Sequence, residues 1–302
     1  MIYAVIDIGS NTVRLSVYKI YEDYVVNLFN EKEQASLKSY VSNGVLSEKG
    51  IDRLIETLKK FKLVVDNFDD IDKVHPFATA TIREVANRYE ILKRVKKELG
   101  LEIEIISGEE EAKLAFLGAS SSVEVSHGVL TDIGGGSSEV VIIDQNKVVK
   151  SGSLSIGSLS AFNDYVSGLF VSKDEKKIID NEVKNLLQAN KLYKEDHDLL
   201  CAVGGSARAS LKFYNEYYKE DSYNTSMQAD KFNSMIKEVI DREPRLILDA
   251  ILEVKPDRVH TLLPGMIILN RISKYFNAKE ISISQTGVRE GYVYNKLLGK
   301  TK

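Results

Sequence analysis

Two short segments concentrate the residue types that hold phosphate. Asp7-Ile8-Gly9-Ser10-Asn11-Thr12 and Asp132-Ile133-Gly134-Gly135-Gly136-Ser137-Ser138 each place a carboxylate ahead of glycine and of hydroxyl or amide side chains. Glycine lets the backbone approach a ligand closely, and successive amides in such a turn make an anion-binding concavity. Ser10, Asn11, Thr12, Ser137 and Ser138 add neutral donors. A carboxylate alone would repel phosphate, but Asp7 and Asp132 make sense as ligands for Mg²⁺, direct or through water. One glycine-rich turn is weak evidence, because most such turns only reverse the chain. Two copies with the same chemistry favour phosphate binding, with the loops expected to face each other and grip a phosphate chain from both sides.

Three further segments have two readings each. Gly204-Gly205-Ser206 follows the apolar run 199–203 and either approaches a phosphate or nucleotide or merely caps the strand. Glu109-Glu110-Glu111 follows Ser107-Gly108. Acids there complement the dipole of a starting helix, or one of them takes a proton from a water that attacks phosphorus. Arg83, within Thr79-Ala80-Thr81-Ile82-Arg83-Glu84-Val85-Ala86-Asn87, either holds a phosphate through its fork of donors or pairs with a surface acid. His75, His127, His197 and His260 have no metal-ligand spacing, and Cys201 lies inside an apolar strand; all five read as structural or exposed.

The elements that must position these residues repeat. Ile2–Ile8 reads as a strand buried on both faces, followed by the Asp7 turn, an alternating strand at 13–18, a turn at Tyr21-Glu22-Asp23-Tyr24 and a third strand at 25–29. Residues 129–133 repeat the pattern, with a second strand at 139–143, a turn at Asp144-Gln145-Asn146-Lys147 and a closing strand from Val148. Between the copies, Ser47 is an N-cap for a helix whose apolar stripe is Ile51, Leu54, Ile55, Leu58, Phe61, Val65 and Phe68. A strand at 73–77, a helix from Arg83 to Leu99 and a strand at 101–106 follow. Ser172-Lys173-Asp174-Glu175 is a capping box, Leu199–Val203 a buried strand, and Ile281–Ser284 leads to Gly287-Val288-Arg289-Glu290-Gly291 and a last helix. Helices alternating with strands imply a mixed α/β sheet in each copy.

Size agrees with duplication: 302 residues make about two domains at roughly 150 residues each, taken as 1–122 and 123–302 with a cleft between. Hydrophobic residues are 43% and charged residues 28%, which excludes a disordered or fibrous chain. With 41 basic against 44 acidic residues, the chain lacks the basic excess of a dedicated nucleic-acid binder. No apolar run approaches the ~20 residues of a membrane span. Met1–Ile6 leaves no room for a leader before the first turn, and one cysteine suits a reducing compartment. The expectation is a soluble cytoplasmic protein without nucleic-acid or membrane partners.

Taken together, the Asp7 and Asp132 turns, Ala78–Arg83 with Asn87, Ile106-Ser107-Gly108-Glu109-Glu110-Glu111-Ala112, Gly204-Gly205-Ser206 and Gly287–Gly291 resemble the exopolyphosphatase and guanosine pentaphosphate phosphohydrolase (Ppx/GppA) family. The resemblance spans nearly the whole chain and implies two ribonuclease-H-like domains of the actin and hexokinase-like ATPase superfamily. It implies that Glu111 is the catalytic base and that Arg83 engages the terminal phosphate. Asp7, Asp132 and Glu139 would manage Mg²⁺, with a monovalent cation such as K⁺ as a further cofactor. Gly9, Ser10, Asn11, Thr12, Gly134, Gly135, Gly136, Ser137, Ser138, Gly205 and Ser206 would hold phosphates. The implied reaction is hydrolysis of a terminal phosphoanhydride of short inorganic polyphosphate or of guanosine pentaphosphate, in a homodimer. Longer members continue into a helical metal-dependent-hydrolase-like domain; here the sequence stops at Lys302, so the short two-domain form is expected, with less basic surface for very long polyphosphate. Ser138 replaces the commoner Thr, and Arg88 follows Asn87 where Gly is usual. A sugar or acetate-type kinase and a nucleotide-sensing scaffold share the fold; Glu111 in this motif speaks against the kinase, and the scaffold needs no catalytic glutamate.

Overall fold

The computed structural model describes residues 1–22, 24–68 and 70–299. Asp23, inside the expected Tyr21–Tyr24 turn, lies outside the described residues. The chain divides into two compact units, Met1–Ser107 and Gly108–Lys302.

The first unit is built on one sheet with strands β1 (Ile2–Ile8), β2 (Thr12–Ile20), β3 (Val25–Gln34), β6 (Lys73–Ala78) and β7 (Glu104–Ile105), in the order β3-β2-β1-β6-β7. A small hairpin, β4 (Val41–Ser42) with β5 (Val45–Leu46), precedes α1 (Glu48–Asp66). β1 is central and apolar because both its faces are covered; Ala4, Val5, Ile6 and Ile8 are buried. It runs antiparallel to β2 and parallel to β6. α1 buries the expected stripe from Ile51 to Val65, and its cap, Ser47 Oγ, accepts the Gly50 amide at 3.3 Å. Phe68, expected to end the stripe, falls beyond the helix and meets Phe29 instead, ring centres 5.9 Å apart.

The helix expected over 83–99 is two pieces, α2 (Ala80–Glu84) and α3 (Arg88–Leu99). Val85 is extended (φ −72°, ψ 141°), and the Asn87 side chain clamps the hairpin, accepting the Leu46 amide at 3.1 Å and donating to its carbonyl at 2.9 Å. Arg88, standing where glycine is usual, donates to the Arg83 carbonyl at 3.1 Å and helps close the break. The strand expected over 101–106 shrinks to β7, since only Glu104 and Ile105 find ladder partners on β6.

The second unit begins with α4 (Gly108–Ala119), one helix earlier than the expected division. Its sheet holds β8 (Gly128–Ile133), β9 (Ser138–Asp144), β10 (Lys147–Leu154), β11 (Leu199–Val203), β12 (Ser226–Gln228) and β13 (Glu280–Ile283), ordered β10-β9-β8-β11-β13-β12. The helices are α5 (Ser158–Tyr165), α6 (Lys173–Ala189), α7 (Gly204–Tyr218), α8 (Ala229–Ile240), α9 (Pro244–Val254), α10 (Leu262–Tyr275) and α11 (Val288–Tyr292). α6 carries the expected capping box, Ser172 and Glu175 exchanging backbone contacts.

α4 joins this unit because its small buried residues, Ala112, Ala115, Gly118 and Ala119, recur at three and four positions and let it lie close to β9, β10 and α11. A side chain at Gly118 would strike the Gly287 carbonyl, and one at Gly291 the Leu114 carbonyl. In each unit an antiparallel meander, β1-β2-β3 or β8-β9-β10, is extended on its inner edge by two parallel strands, and β12 closes the second sheet antiparallel to β13. This is the mixed α/β sheet that the sequence pattern predicts and the ribonuclease-H-like arrangement that the family resemblance implies.

Candidate active site

The Asp132 turn joins β8 to β9 and is closed by the Gly134 amide donating to the Ser137 carbonyl at 2.9 Å. It is held from one side by the start of α5. The Ser158 amide donates to the Gly134 carbonyl, and the Leu159 and Ser160 amides to the Gly135 carbonyl, all at 2.9 Å. First-turn amides have no partner inside their own helix, so the turn satisfies them. A trans peptide directs its N–H opposite to its C=O. Pinning the Gly134 and Gly135 carbonyls toward α5 therefore turns the Gly135 and Gly136 N–H groups away from it, where they can receive an anion. Gly157 makes this contact possible: a Cβ there would lie 2.6 Å from the Gly135 carbonyl carbon.

The Asp7 turn follows the same plan with different parts. The Gly9 amide donates to the Thr12 carbonyl at 3.2 Å. Behind it stands the segment after β3, where the Ser36 amide donates to the Asn11 carbonyl at 2.8 Å and the Lys38 amide to the Ser10 carbonyl at 3.0 Å. The Asn11 and Thr12 N–H groups accordingly point away from that segment. Ser36 Oγ also donates to Asn11 Oδ1 at 3.1 Å.

Of the hydroxyls expected to meet phosphate, two in the second unit are engaged within the protein. Ser137 Oγ donates to Glu139 Oε1 at 2.9 Å, and Ser138 Oγ to the Ile156 carbonyl at 2.6 Å. Both residues are buried, so their hydroxyls brace the turn. Glu139, 1% exposed, also accepts from Ser153 Oγ at 2.8 Å.

The structure separates the three glutamates of α4. Glu109 is exposed and paired with Lys113 at 2.7 Å, and this hydrogen bond holds its carboxyl below the usual range. Glu110 is paired with Lys296 at 2.6 Å. Glu111 alone is buried, at 7% exposure, on the first turn of the helix that packs on β9. Two glutamates thus serve the helix surface, and the third has the sheltered position a base requires.

Arg83 lies at the end of α2, its side chain largely buried, with Nη1 donating to the Ile106 carbonyl at 3.0 Å and Nη2 3.9 Å from Glu84. An acid is thus near this residue, and its fork is held in place by a backbone carbonyl. Gly204-Gly205-Ser206 forms the first turn of α7, which follows β11 directly. Gly204 has φ +85°, and a side chain there would strike the Asp132 carboxylate. The first glycine therefore makes room for the acid of the neighbouring strand, Val203 being the ladder partner of Asp132.

Asp132 stands opposite Glu139 in the β8–β9 ladder. Facing pairs put their Cβ atoms about 5 Å apart, and like charges there are destabilising, so the pair suits a bound cation. Among the described residues no group of three or more His, Cys, Asp and Glu side chains could hold a metal; the expected trio of Asp7, Asp132 and Glu139 is not a ready-made cage. Mg²⁺ tolerates that, since it usually keeps several waters and takes one or two carboxylates plus substrate phosphate oxygens. Asp132 and Glu139 fit such a site.

The remaining titratable candidates stay outside the chemistry. His127 pairs with Asp144 at 2.6 Å on the surface, His75 packs edge-on against Tyr3, His197 on Phe276 and His260 on Phe162. Cys201 is fully buried, and burial pushes its thiol up to about 12. Among the described residues no helix is long and apolar enough to cross a membrane.

Sequence reasoning missed the buttress Gly157-Ser158-Leu159-Ser160 and the residues Arg208 and Arg258 around α7. A glycine and a serine just before an apolar helix was the available signal for the first; Arg258 offered none, lying 53 residues beyond the Gly205 turn it covers.

Comparison with known proteins gives this geometry a lineage. The chain is 28% identical over 302 residues to the bifunctional 3-dehydroquinate synthase/phosphatase of Fusobacterium nucleatum, a match covering 93% of this chain and 44% of that protein. It thus spans less than half the length of that relative. The crystal structure of an exopolyphosphatase from Cytophaga hutchinsonii superposes with a TM-score of 0.86 at 25% identity, covering 100% of this chain and 99% of the other. The Aquifex aeolicus member of the Ppx/GppA family gives 0.80 at 26%, with the same coverage of each chain. Residues 16–300 match the model of the Ppx/GppA phosphatase family. Both glycine turns and the sheltered glutamate accord with this match, and the chain belongs to the Ppx/GppA phosphatase family.

Proposed function

We propose that the chain, by its family a hydrolase of phosphoanhydride bonds, removes the terminal phosphate of short inorganic polyphosphate, with Glu111 as general base. The observation that carries this reading is the division of labour on α4, where Glu109 and Glu110 are spent on lysines and Glu111 alone is withdrawn from solvent. Phosphoryl transfer asks little covalent chemistry of a protein; positioning and charge stabilisation do most of the work. The Gly135 and Gly136 amides would receive the terminal phosphate oxygens, and in the first unit Ser10, Asn11, Thr12 and Arg83 carry donors of the same kind. Glu111 would orient a water in line with the bridging oxygen and accept its proton as the P–O bond breaks, releasing orthophosphate and a chain one unit shorter. Mg²⁺, held by Asp132 and Glu139, would neutralise phosphate oxygens.

Orthophosphate release from tripolyphosphate, longer polyphosphate, guanosine pentaphosphate and ATP, with and without Mg²⁺, tests the reading. Tripolyphosphate and longer chains should be turned over in preference to ATP, and only with the metal. Preference for guanosine pentaphosphate would move the assignment to the nucleotide. Glu111→Gln should fold normally and lose at least about 100-fold in kcat, the scale of a removed general base. Near-normal turnover by that variant would reject Glu111 as the base.

A further inference from the structure

In the second unit α10 packs against both α6 and α8, and two side-chain contacts fix the register. Lys173, at the start of α6, pairs with Asp241, just past the end of α8, at 2.9 Å. Asn270 on α10 donates to Asn233 on α8 at 3.3 Å. Residues three or four apart on a helix share a face. Lys176 thus follows Lys173, Lys237 follows Asn233 and Lys274 follows Asn270, each by about one turn, with Arg271 three residues before Lys274. These cations act on one another. Burial lowers the proton affinity of Lys274, and repulsion by Lys237, Lys176 and Arg271 lowers it further against the pull of Asp180.

The acids nearby leave that charge standing. Asp241 is held by Lys173, and Glu238 by the Tyr217 hydroxyl. Asp180 pairs with Lys176 through Oδ2, while its Oδ1 and Arg271 Nε are both buried without a hydrogen-bond partner. Among the described residues the side chains of Lys237, Arg271 and Lys274 form no ion pair. A buried polar atom without a partner is costly, and folded proteins keep few of them. Here a donor and an acceptor are left open beside one group of unneutralised cations.

That combination specifies a ligand. The cations call for an anion, Arg271 Nε for an acceptor and Asp180 Oδ1 for a donor. Hydrogen phosphate meets all three needs, its bare oxygens accepting and its P–OH donating to the carboxylate. Sulfate at neutral pH has no proton to donate and would meet Asp180 as one like charge meets another. We infer that Lys237, Arg271 and Lys274, with Asp180 accepting from the P–OH, form a hydrogen-phosphate site separate from the Asp132 turn. Gly265, on the first turns of α10, lies against Ser158, which braces that turn. Lys274 stands nine residues further on, roughly 14 Å along the helix. Free orthophosphate and the terminal group of a phosphate chain share the required chemistry, and binding of either is read without turnover.

The test is nuclear magnetic resonance on the isotope-labelled full chain at neutral pH without added metal. The backbone amides of Lys176–Asp180, Lys237 and Arg271–Lys274 are followed as orthophosphate, tripolyphosphate or sulfate is added at matched ionic strength. Orthophosphate should saturate these amides at least about 10-fold more tightly than sulfate, the scale of a hydrogen bond to a charged group. Weaker binding of tripolyphosphate would identify the free ion as ligand, and equal or tighter binding the end of a chain; with sulfate excluded, both results support the site. Arg271→Gln and Lys274→Ala should each weaken orthophosphate about 10-fold at these amides. Asp180→Asn separates recognition from structure, because its amide can donate where the carboxylate only accepts; sulfate should rise to within about 3-fold of orthophosphate. Amides that do not move, sulfate equal to orthophosphate in the wild type, or unchanged discrimination in Asp180→Asn would overturn the inference. Should a variant fail to fold by circular dichroism, the wild-type comparison of orthophosphate with sulfate decides alone.

Discussion

At the Asp7 turn the residue across the ladder is Arg14; at the Asp132 turn it is Glu139. The backbone plan is otherwise shared, with glycine amides closing each turn and a second segment pinning its carbonyls from behind. A carboxylate facing a guanidinium is close to locally neutral, whereas two facing carboxylates repel and call for a positive partner. The two units thus share the backbone plan of the turn and differ in the residue that faces its acid, a difference that on the proposed reading would set which copy takes a metal ion. The lesson is that Asp-Ile-Gly in a sequence identifies the turn, while the residue seven positions later identifies its electrostatic role.

Paired substitutions can break that comparison. The largest difference is expected between Asp132→Asn and Asp7→Asn. The first should raise the Mg²⁺ concentration for half-maximal rate by about 10-fold or more, as for lost support of a metal site, and the second by no more than about 3-fold. Equal shifts in a metal titration of phosphate release would show that Arg14 does not set the first turn apart. Next in size is Gly157→Ala, which forces a methyl against the Gly135 backbone at a cost of roughly 1–3 kcal/mol for overpacking. A raised KM and a lower melting temperature should appear together; a normal KM would mean that α5 does not fix the Asp132 turn. The smallest effect belongs to Ser36→Ala, which removes one hydrogen bond to Asn11. Its expected loss is about 1 kcal/mol in denaturant unfolding, and an unchanged midpoint would show that the backbone contacts of Ser36 and Lys38 hold the Asp7 turn alone.

Much of this was readable from residues near one another in the chain. Each Asp-Ile-Gly turn, the α1 stripe from Ile51 to Val65 and the Ser172–Glu175 cap depend on neighbours within a few positions, and they appear where expected. What escaped depends on distant partners. Asn87 breaks the expected helix because it clamps Leu46, 41 residues away. Which of the three α4 glutamates turns inward follows from the face that packs, Glu111 lying with Ala112, Ala115 and Gly118, and of the lysines that pair with the other two only Lys113 sits at a readable helical spacing. The expected division between domains fell after α4 because the sequence does not show that Gly118 and Leu114 meet Gly287 and Gly291.

That glycine-lined seam has a temporal consequence. The helix bearing Glu111 locks against a segment synthesised some 170 residues later. Chains emerge from the ribosome in order, and domains generally fold as units in that order. The first unit can therefore complete its sheet while α4 still waits for its mate, α11. The nascent protein would acquire a folded amino-terminal half well before Glu111 is fixed in place, so if Glu111 is the base proposed above, catalytic competence would be among the last properties to arrive during translation.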